Sequence, residues 1–188
     1  MIITISGVPG SGKTTVANIL SEKLDMPFYS MGGLRAKLAE ERKISIDELN
    51  AIGEIDPTTD TSVDEYQREL GKTTDNFIVE GRLSWHFIPH SFKIFLSCDL
   101  DEAARRIFEA RKHTRGREDE PMYRNVEEAR RTIEERTASD VRRYAMIYGV
   151  DYREPSHYDL VVDTTNLSGP EVTAKAILEE IESIARNA

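Results

Sequence analysis

The sequence predicts a three-layer α/β fold, a five-stranded parallel sheet covered by helices on both faces. Three observations predict it. Short β-branched runs alternate with stretches of helical period along the whole chain. The first such run leads straight into Gly7-Val8-Pro9-Gly10-Ser11-Gly12-Lys13-Thr14, a glycine-rich turn that opens a helix. And 188 residues, 39% hydrophobic and 31% charged, suit a single domain (1–188) with its own core.

The elements follow in order. Ile2 to Ser6 ends in glycine and reads as a buried strand. Val16, Ile19, Leu20 and Leu24 recur at steps of three and four, the apolar stripe of a helix. Pro27 to Ser30 is a second short strand, and Leu34 to Arg42 reads as a helix. Ser45 with Glu48 three residues later is a capping box for another helix, which Pro57 ends. Residues 60–75 form a polar helix, so that about 31–75 is a helical insertion in the sheet. Phe77-Ile78-Val79 is the third strand, ended by Glu80-Gly81, and Phe92 to Ser97 is the fourth. Asp99 and Glu102 make a capping pair for a helix with Leu100, Ala103, Ala104, Ile107 and Arg111 on one side. Gly116 and Pro121 stand among many charges in 112–124, a mobile loop. A long helix runs from about Asn125 to Tyr148, and Tyr158 to Val162 is the fifth strand. Pro170 starts the closing helix, which carries Val172, Ile177, Ile181 and Ile184.

Composition excludes several classes. A net charge of -9 argues against a general nucleic-acid or anionic-membrane surface, since both reward basic excess. Cys98 stands alone, which leaves no disulfide framework and no cysteine zinc site; it reads as a small buried residue at a strand end. Met1 to Ser6 lacks the basic flank and long apolar run of a signal peptide, and no apolar stretch approaches the ~20 residues of a membrane span, so a cytoplasmic location is expected. His86 and His90 are four apart, yet Pro89 interrupts the helix that would align them, and they read as structural or exposed.

Gly7 to Thr14 matches G-x-x-x-x-G-K-[ST] in full. Glycines let the backbone aim several N–H groups inward as a nest for anionic oxygens, and the following helix adds the positive end of its dipole. Lys13 is expected to reach the β- and γ-phosphates of a nucleoside triphosphate, Thr14 to ligate Mg²⁺, and Thr15 to extend the cradle. No Asn-Lys-x-Asp guanine-reading motif is present, and motor-scale ATPases need more chain. Small kinases remain, in which ATP meets a compact acceptor.

The acceptor end should be rich in arginine. Glu80-Gly81-Arg82 follows the third strand, where ligands gather in parallel α/β folds. Arg82 is a candidate phosphate clamp and Glu80 a candidate orienter of water on the magnesium ion, against the alternative of a surface turn with an ion pair. Arg35, after the second strand, is a further candidate phosphate contact or a solvated helix arginine. On the long helix Arg136, Asp140 and Arg143 fall on or beside the stripe of Val126, Ala129, Ile133, Tyr144 and Ile147. Buried arginines need a partner, either a phosphate chain between Arg136 and Arg143 or Asp140 and nearby glutamates. Asp60, Asp64 and Gln67, at helical spacing, are candidates for reading a base, or solvated helix residues. Arg111, Lys112, Arg115, Arg117 and Arg124 surround the 112–124 loop, as in a lid over transferring phosphates or an ordinary solvated charge run.

With these segments the chain resembles the archaeal-type cytidylate kinases, a branch of the nucleoside monophosphate kinases. The resemblance rests on Asp56-Pro57-x-x-Asp60-x-x-x-Asp64-x-x-Gln67, on Glu80-Gly81-Arg82-Leu83 and on Arg136, then Arg143-Tyr144-x-x-Ile147-Tyr148-Gly149-Val150-Asp151. Tyr158 to Thr164 completes it. It implies a sheet in the order 2-3-1-4-5, an insertion that binds the monophosphate, a short lid, and Mg²⁺-dependent transfer from ATP to CMP or dCMP. It also implies catalytic roles for Lys13, Arg82, Arg136 and Arg143, a monomeric cytoplasmic enzyme, and by fold analogy an adenine site near Asn166 to Ser168. One departure stands out: the family usually has Gly-Asp where this chain has Gly32-Gly33, and Arg35 is displaced by one position. The alternatives are a kinase of another nucleoside monophosphate or small metabolite, and a P-loop regulator that binds nucleotide without transfer.

Overall fold

A computed structural model describes residues 1–45, 48–49, 51–52, 58–113 and 123–187. Among them five parallel strands form one sheet in the order β2-β3-β1-β4-β5. The strands are β1 (Ile2–Gly7), β2 (Phe28–Ser30), β3 (Phe77–Glu80), β4 (Phe92–Ser97) and β5 (Leu160–Asp163). The helices are α1 (Lys13–Leu24), α2 (Met31–Glu41), α3 (Thr58–Thr73), α4 (Ser84–Phe87), α5 (Leu100–His113), α6 (Val126–Tyr148) and α7 (Pro170–Asn187). No described helix is long and apolar enough to cross a membrane.

The central strand shows how the layers form. Successive side chains on β1 point to opposite faces. Ile3 and Ile5 enter the layer built with Val16 and Leu20 of α1 and Ile177 of α7. Ile2 enters the opposite layer with Met31, Val63, Leu70, Phe77 and Ile88, below α2 and α3. Thr4 and Ser6 share that second face and are buried, so each needs a polar partner. Thr4 bonds Ser91 at 2.9 Å, and Ser6 donates to the carbonyl of Arg82 at 3.0 Å. The latter bond ties the turn after β3 to the strand that enters the P-loop.

Local chemistry explains most of the element ends. Ser45 Oγ accepts from Glu48 N at 3.1 Å while the Glu48 carboxylate accepts from Ser45 N at 2.7 Å, the reciprocal box expected from the sequence. Pro57 and residues 114–122, the bulk of the expected lid, lie outside the described residues. Helix α2 starts at Met31 rather than Leu34, because Ser30 Oγ accepts from Gly33 N and draws both glycines into the first turn. Asp99 caps α5, accepting from Asp101 N and Glu102 N, but Glu102 turns forward to Arg105 and Arg106 instead of back to Asp99. Strand β5 starts at Leu160, two residues later than the alternation suggests. Tyr158 leaves the ladder for an aromatic cluster with Trp85 and Phe95, and its hydroxyl donates to the carbonyl of Tyr152.

Candidate active site

The P-loop is shaped by contacts that leave no room for side chains. Gly7 holds φ +148°, and a Cβ there would lie 2.2 Å from the Leu96 carbonyl oxygen of β4. At Gly10, φ +77°, a Cβ would lie 2.8 Å from the Ala103 backbone of α5. The loop is thereby wedged between β4 and α5. Gly12 gives α1 no side-chain cap, and the first turn carries no acidic residue. The amides at this helix start are therefore not engaged by a capping side chain, the arrangement that suits an anion. Lys13 Nζ donates to Val8 O at 2.8 Å, which folds its ammonium back over the loop.

Beside the cradle, Glu80 ends β3. Thr14 Oγ1 donates to Glu80 Oε2 at 3.3 Å and Ser30 Oγ to the same oxygen at 3.0 Å. A hydroxyl and a carboxylate, side by side next to Lys13, form the hard-oxygen pair that Mg²⁺ takes when substrate phosphates supply the rest of its shell. The two residues expected to serve the metal thus fit it.

The cleft of ≈ 100 Å³ continues from Glu80 along Gly81 and Arg82 to Arg35, Asp64, Gln67 and Tyr148. It contains four of the five residues expected to meet the acceptor. The Asp60 side chain lies outside what the structure describes. Behind the cleft two arginines share one carboxylate. Asp140 Oδ1 accepts from Arg143 Nη2 at 2.9 Å, and Asp140 Oδ2 lies 2.8 Å from Arg82 Nε in an ion pair. The Arg143 and Asp140 side chains are 2% and 8% exposed, whereas Arg82 keeps 30% and lines the cleft. Burial opposes the charge on Arg82, but the Asp140 carboxylate outweighs it and holds the guanidinium above its ordinary range. Burial likewise pushes the Tyr144 phenol up to about 12, so the cluster's aromatic wall stays neutral.

Of the two partners expected for Arg136 and Arg143, Arg143 takes the internal one, Asp140, and is buried away from the cleft lining, whereas Arg82, held by the same carboxylate, lines it. Arg136, a half-buried residue of α6, is not among the cleft's lining. Val8 and Pro9 turn their side chains to an apolar pocket of ≈ 320 Å³ with Cys98, Ala103, Ile133 and Thr137. Their part in phosphate binding is left to the backbone. Cys98 is half-buried, and burial pushes its thiol up, which lowers its thiolate fraction. His86 packs on Trp85, Phe87 and Tyr148, and burial holds it below its ordinary range.

Sequence reasoning assigned no role to Tyr148, Ser84 or Arg106 and offered Asp140 only as a partner for Arg136 and Arg143. Asp140 was visible as the acidic member of the Arg136–Arg143 stripe. Tyr148 donates to Asp64 Oδ2 across 84 positions, and Ser84 Oγ donates to Gln67 Oε1 at 2.7 Å; no local pattern announces either pair. Arg106 donates to the carbonyls of Thr164 and Thr165 at 2.6 and 3.3 Å and fixes the loop that leads into Asn166 to Ser168. Its spacing of four from Glu102 was the available signal.

Residues 2–166 match the model of the cytidylate kinase-like family. A cytidylate kinase of Methanobrevibacter smithii is 36% identical over 184 residues, 98% of this chain and 100% of that protein. One of Methanothrix thermoacetophila is 39% identical over 164 residues, 87% of this chain and 88% of that one. Among solved structures, an uncharacterized protein of Eubacterium ventriosum superposes with TM-score 0.70 at 16% identity, covering 97% of this chain and 99% of its own. Shikimate kinase of Aquifex aeolicus superposes with TM-score 0.58 at 21% identity, covering 98% of both. At these identities the superpositions speak for the fold alone.

Proposed function

The chain belongs to the cytidylate kinase-like family, a phosphotransferase lineage, and from that premise we propose that it transfers the γ-phosphoryl group of ATP to CMP or dCMP with Mg²⁺. The observation that carries the acceptor side is the Arg82–Asp140–Arg143 cluster at the wall of a cleft lined by Glu80, whose carboxylate also bonds Thr14 of the P-loop. A site for a phosphate acceptor needs fixed positive charge there; a neutral hydroxyl acceptor would not.

In this reading the amides of Gly7 to Thr14 and the start of α1 hold the triphosphate, and Lys13 leaves Val8 O to follow the γ-phosphate. Thr14 and, through an oriented water, Glu80 would hold Mg²⁺, which when bound would supply Lewis-acid compensation of the triphosphate charge. Arg82 orients the acceptor phosphate, and Arg143 acts through Asp140 to keep Arg82 in place. A phosphate oxygen of the monophosphate attacks the γ-phosphorus in line, the bond to the β-bridging oxygen breaks, and ADP leaves. That oxygen is already ionised near neutral pH, its second pKa being about 6, so no general base is required. Catalysis is then positioning plus charge stabilisation of two polyanions in one groove. Arg35 and Arg136 are assigned supporting phosphate contacts on closure, with the 112–124 segment as lid.

The test is an acceptor panel. With ATP and Mg²⁺, ADP release is followed separately with CMP, dCMP, UMP, AMP and shikimate. Turnover with CMP and dCMP above the others supports the assignment. ADP release with shikimate and with no monophosphate overturns it, and tight ATP binding without turnover on any acceptor leaves a regulator.

A further inference from the structure

Asp64 and Gln67 stand one helical turn apart on α3, 6% and 3% exposed, and both line the acceptor cleft. Buried polar side chains of this kind are oriented by whatever they bond. Here the orienting groups come from two other elements. Tyr148, the last residue of α6, donates its hydroxyl to Asp64 Oδ2. Ser84, fully buried at the start of α4, donates to Gln67 Oε1 at 2.7 Å. Gly81 makes that second bond possible: a Cβ on it would lie 2.5 Å from Ser84 Oγ.

The consequence is a defined polarity. A carboxylate only accepts, so the bond from Tyr148 sets where the Asp64 oxygens point and leaves their polarity unchanged. An amide whose oxygen is engaged by Ser84 presents its NH₂ end as a donor. The α3 face therefore offers an acceptor beside a donor. An amino-pyrimidine presents the complement, an exocyclic amine beside an unprotonated ring nitrogen. A keto-pyrimidine presents the reverse, a carbonyl beside a ring N–H.

We propose that Tyr148 and Ser84 are positioning residues that fix Asp64 as acceptor and Gln67 as donor, making the pair a reader of the amino-pyrimidine edge. The proposal rests on the cleft being the monophosphate site. In the wrong complex the carbonyl meets the carboxylate and the ring N–H meets the amide NH₂. Sites built on matched hydrogen bonds reject such mismatches strongly, and wild-type preference for CMP over UMP in kcat/KM should reach roughly 10²-fold or more.

The experiment compares kcat/KM for CMP and UMP in wild type, Tyr148→Phe, Ser84→Ala and Asp64→Asn, with equilibrium binding of each monophosphate in the absence of ATP. Tyr148→Phe keeps the ring that packs on Phe87 and Tyr144 and deletes only the hydroxyl. It should cut the CMP-to-UMP ratio about 5- to 10-fold while KM for ATP stays unchanged. Ser84→Ala, which frees the amide to flip, should do the same through higher use of UMP. Asp64→Asn supplies a donor and should cut the ratio most. AMP shares the amine-and-ring-nitrogen pattern, so any turnover with AMP should follow CMP across the series.

Equal losses on CMP and UMP in both Tyr148→Phe and Ser84→Ala would make these residues structural props and overturn the proposal. An unchanged ratio in both would do so too. Should one variant fail to fold, the other decides. Absence of wild-type turnover on every monophosphate would remove the acceptor assignment itself and this reading with it, whereas CMP turnover with an unmoved ratio would sink only the polarity.

Discussion

The P-loop and the neighbouring cleft, the proposed donor and acceptor ends of the site, are built by different means. The donor end is backbone. Gly7 to Thr14 is one short segment whose shape is set by glycines pressed against Leu96 and Ala103. The acceptor end is side chain. Arg35, Asp64, Gln67, Arg82, Asp140 and Tyr148 come from α2, α3, the turn after β3, and α6; Asp140 holds Arg82, Tyr148 holds Asp64, and Ser84 of α4 holds Gln67. The first kind of site is robust to everything except a change of backbone. The second can change what it recognises through single side chains, at the cost of buried polar groups that must all be satisfied.

This contrast can be broken in several places. The largest expected effect is on chemistry at the donor end: Lys13→Ala should lower turnover about 10³-fold with an unchanged unfolding temperature, since the cradle's shape does not rest on the side chain. A comparable loss of fold would show that the lysine, and not the glycines, sets the loop. Next, Asp140→Asn withdraws the anion shared by Arg82 and Arg143 and should cost about 3 kcal/mol in denaturant unfolding, with the acceptor KM raised and the KM for ATP unmoved. An equal rise for both nucleotides would erase the distinction between the two ends. Gly7→Ala should cost about 2 kcal/mol, through strain at φ +148° and the encounter with Leu96 O, and should weaken ATP binding before acceptor binding.

The smallest effect sharpens the comparison at the donor side's margin. The hydrogen bond from Arg105, then that from Arg106, hold the Glu102 carboxyl down from 4.5 to about 2. A depressed acid stabilises the fold above its unfolded pKa, near 4.5, and the contribution is lost as pH falls toward 2. With only 20% of its side chain exposed in the static structure but an ion pair open to solvent on one side, the effect is discounted to about 0.5–1 kcal/mol. Wild type and Glu102→Gln should therefore differ by that amount at pH 6 in urea unfolding, and the gap should narrow steadily below pH 4. A constant gap would mean that Glu102 acts by packing.

The same contrast accounts for what the sequence reveals. The P-loop, both edges of β4 and the Ser45–Glu48 cap are legible because the interacting residues are near neighbours in the chain. So are Arg82 and Glu80, because a strand's carboxyl end in a parallel sheet points to the ligand side. The Tyr148–Asp64 pair spans 84 positions and Ser84–Gln67 belongs to different helices, so only the folded sheet brings them together. The start of β5 was misjudged for a related reason: Tyr158 fits the alternation, but its contacts with Trp85 and Phe95 outweigh a place in the ladder. The Gly32-Gly33 turn looked like a loop because glycine disfavours helices, and the Ser30 cap reversed that preference.

One long rod links most of this. Helix α6 spans 23 residues, about 34 Å, and carries Asp140 and Arg143 in its second half and Tyr148 at its tip. The anchor of Arg82 and the hydroxyl that bonds Asp64 are thus carried by one helix. On the proposed assignment, a base that tilted the tip would displace the anchor of Arg82 in the same movement, so that misfit at the ring would be felt at the phosphate.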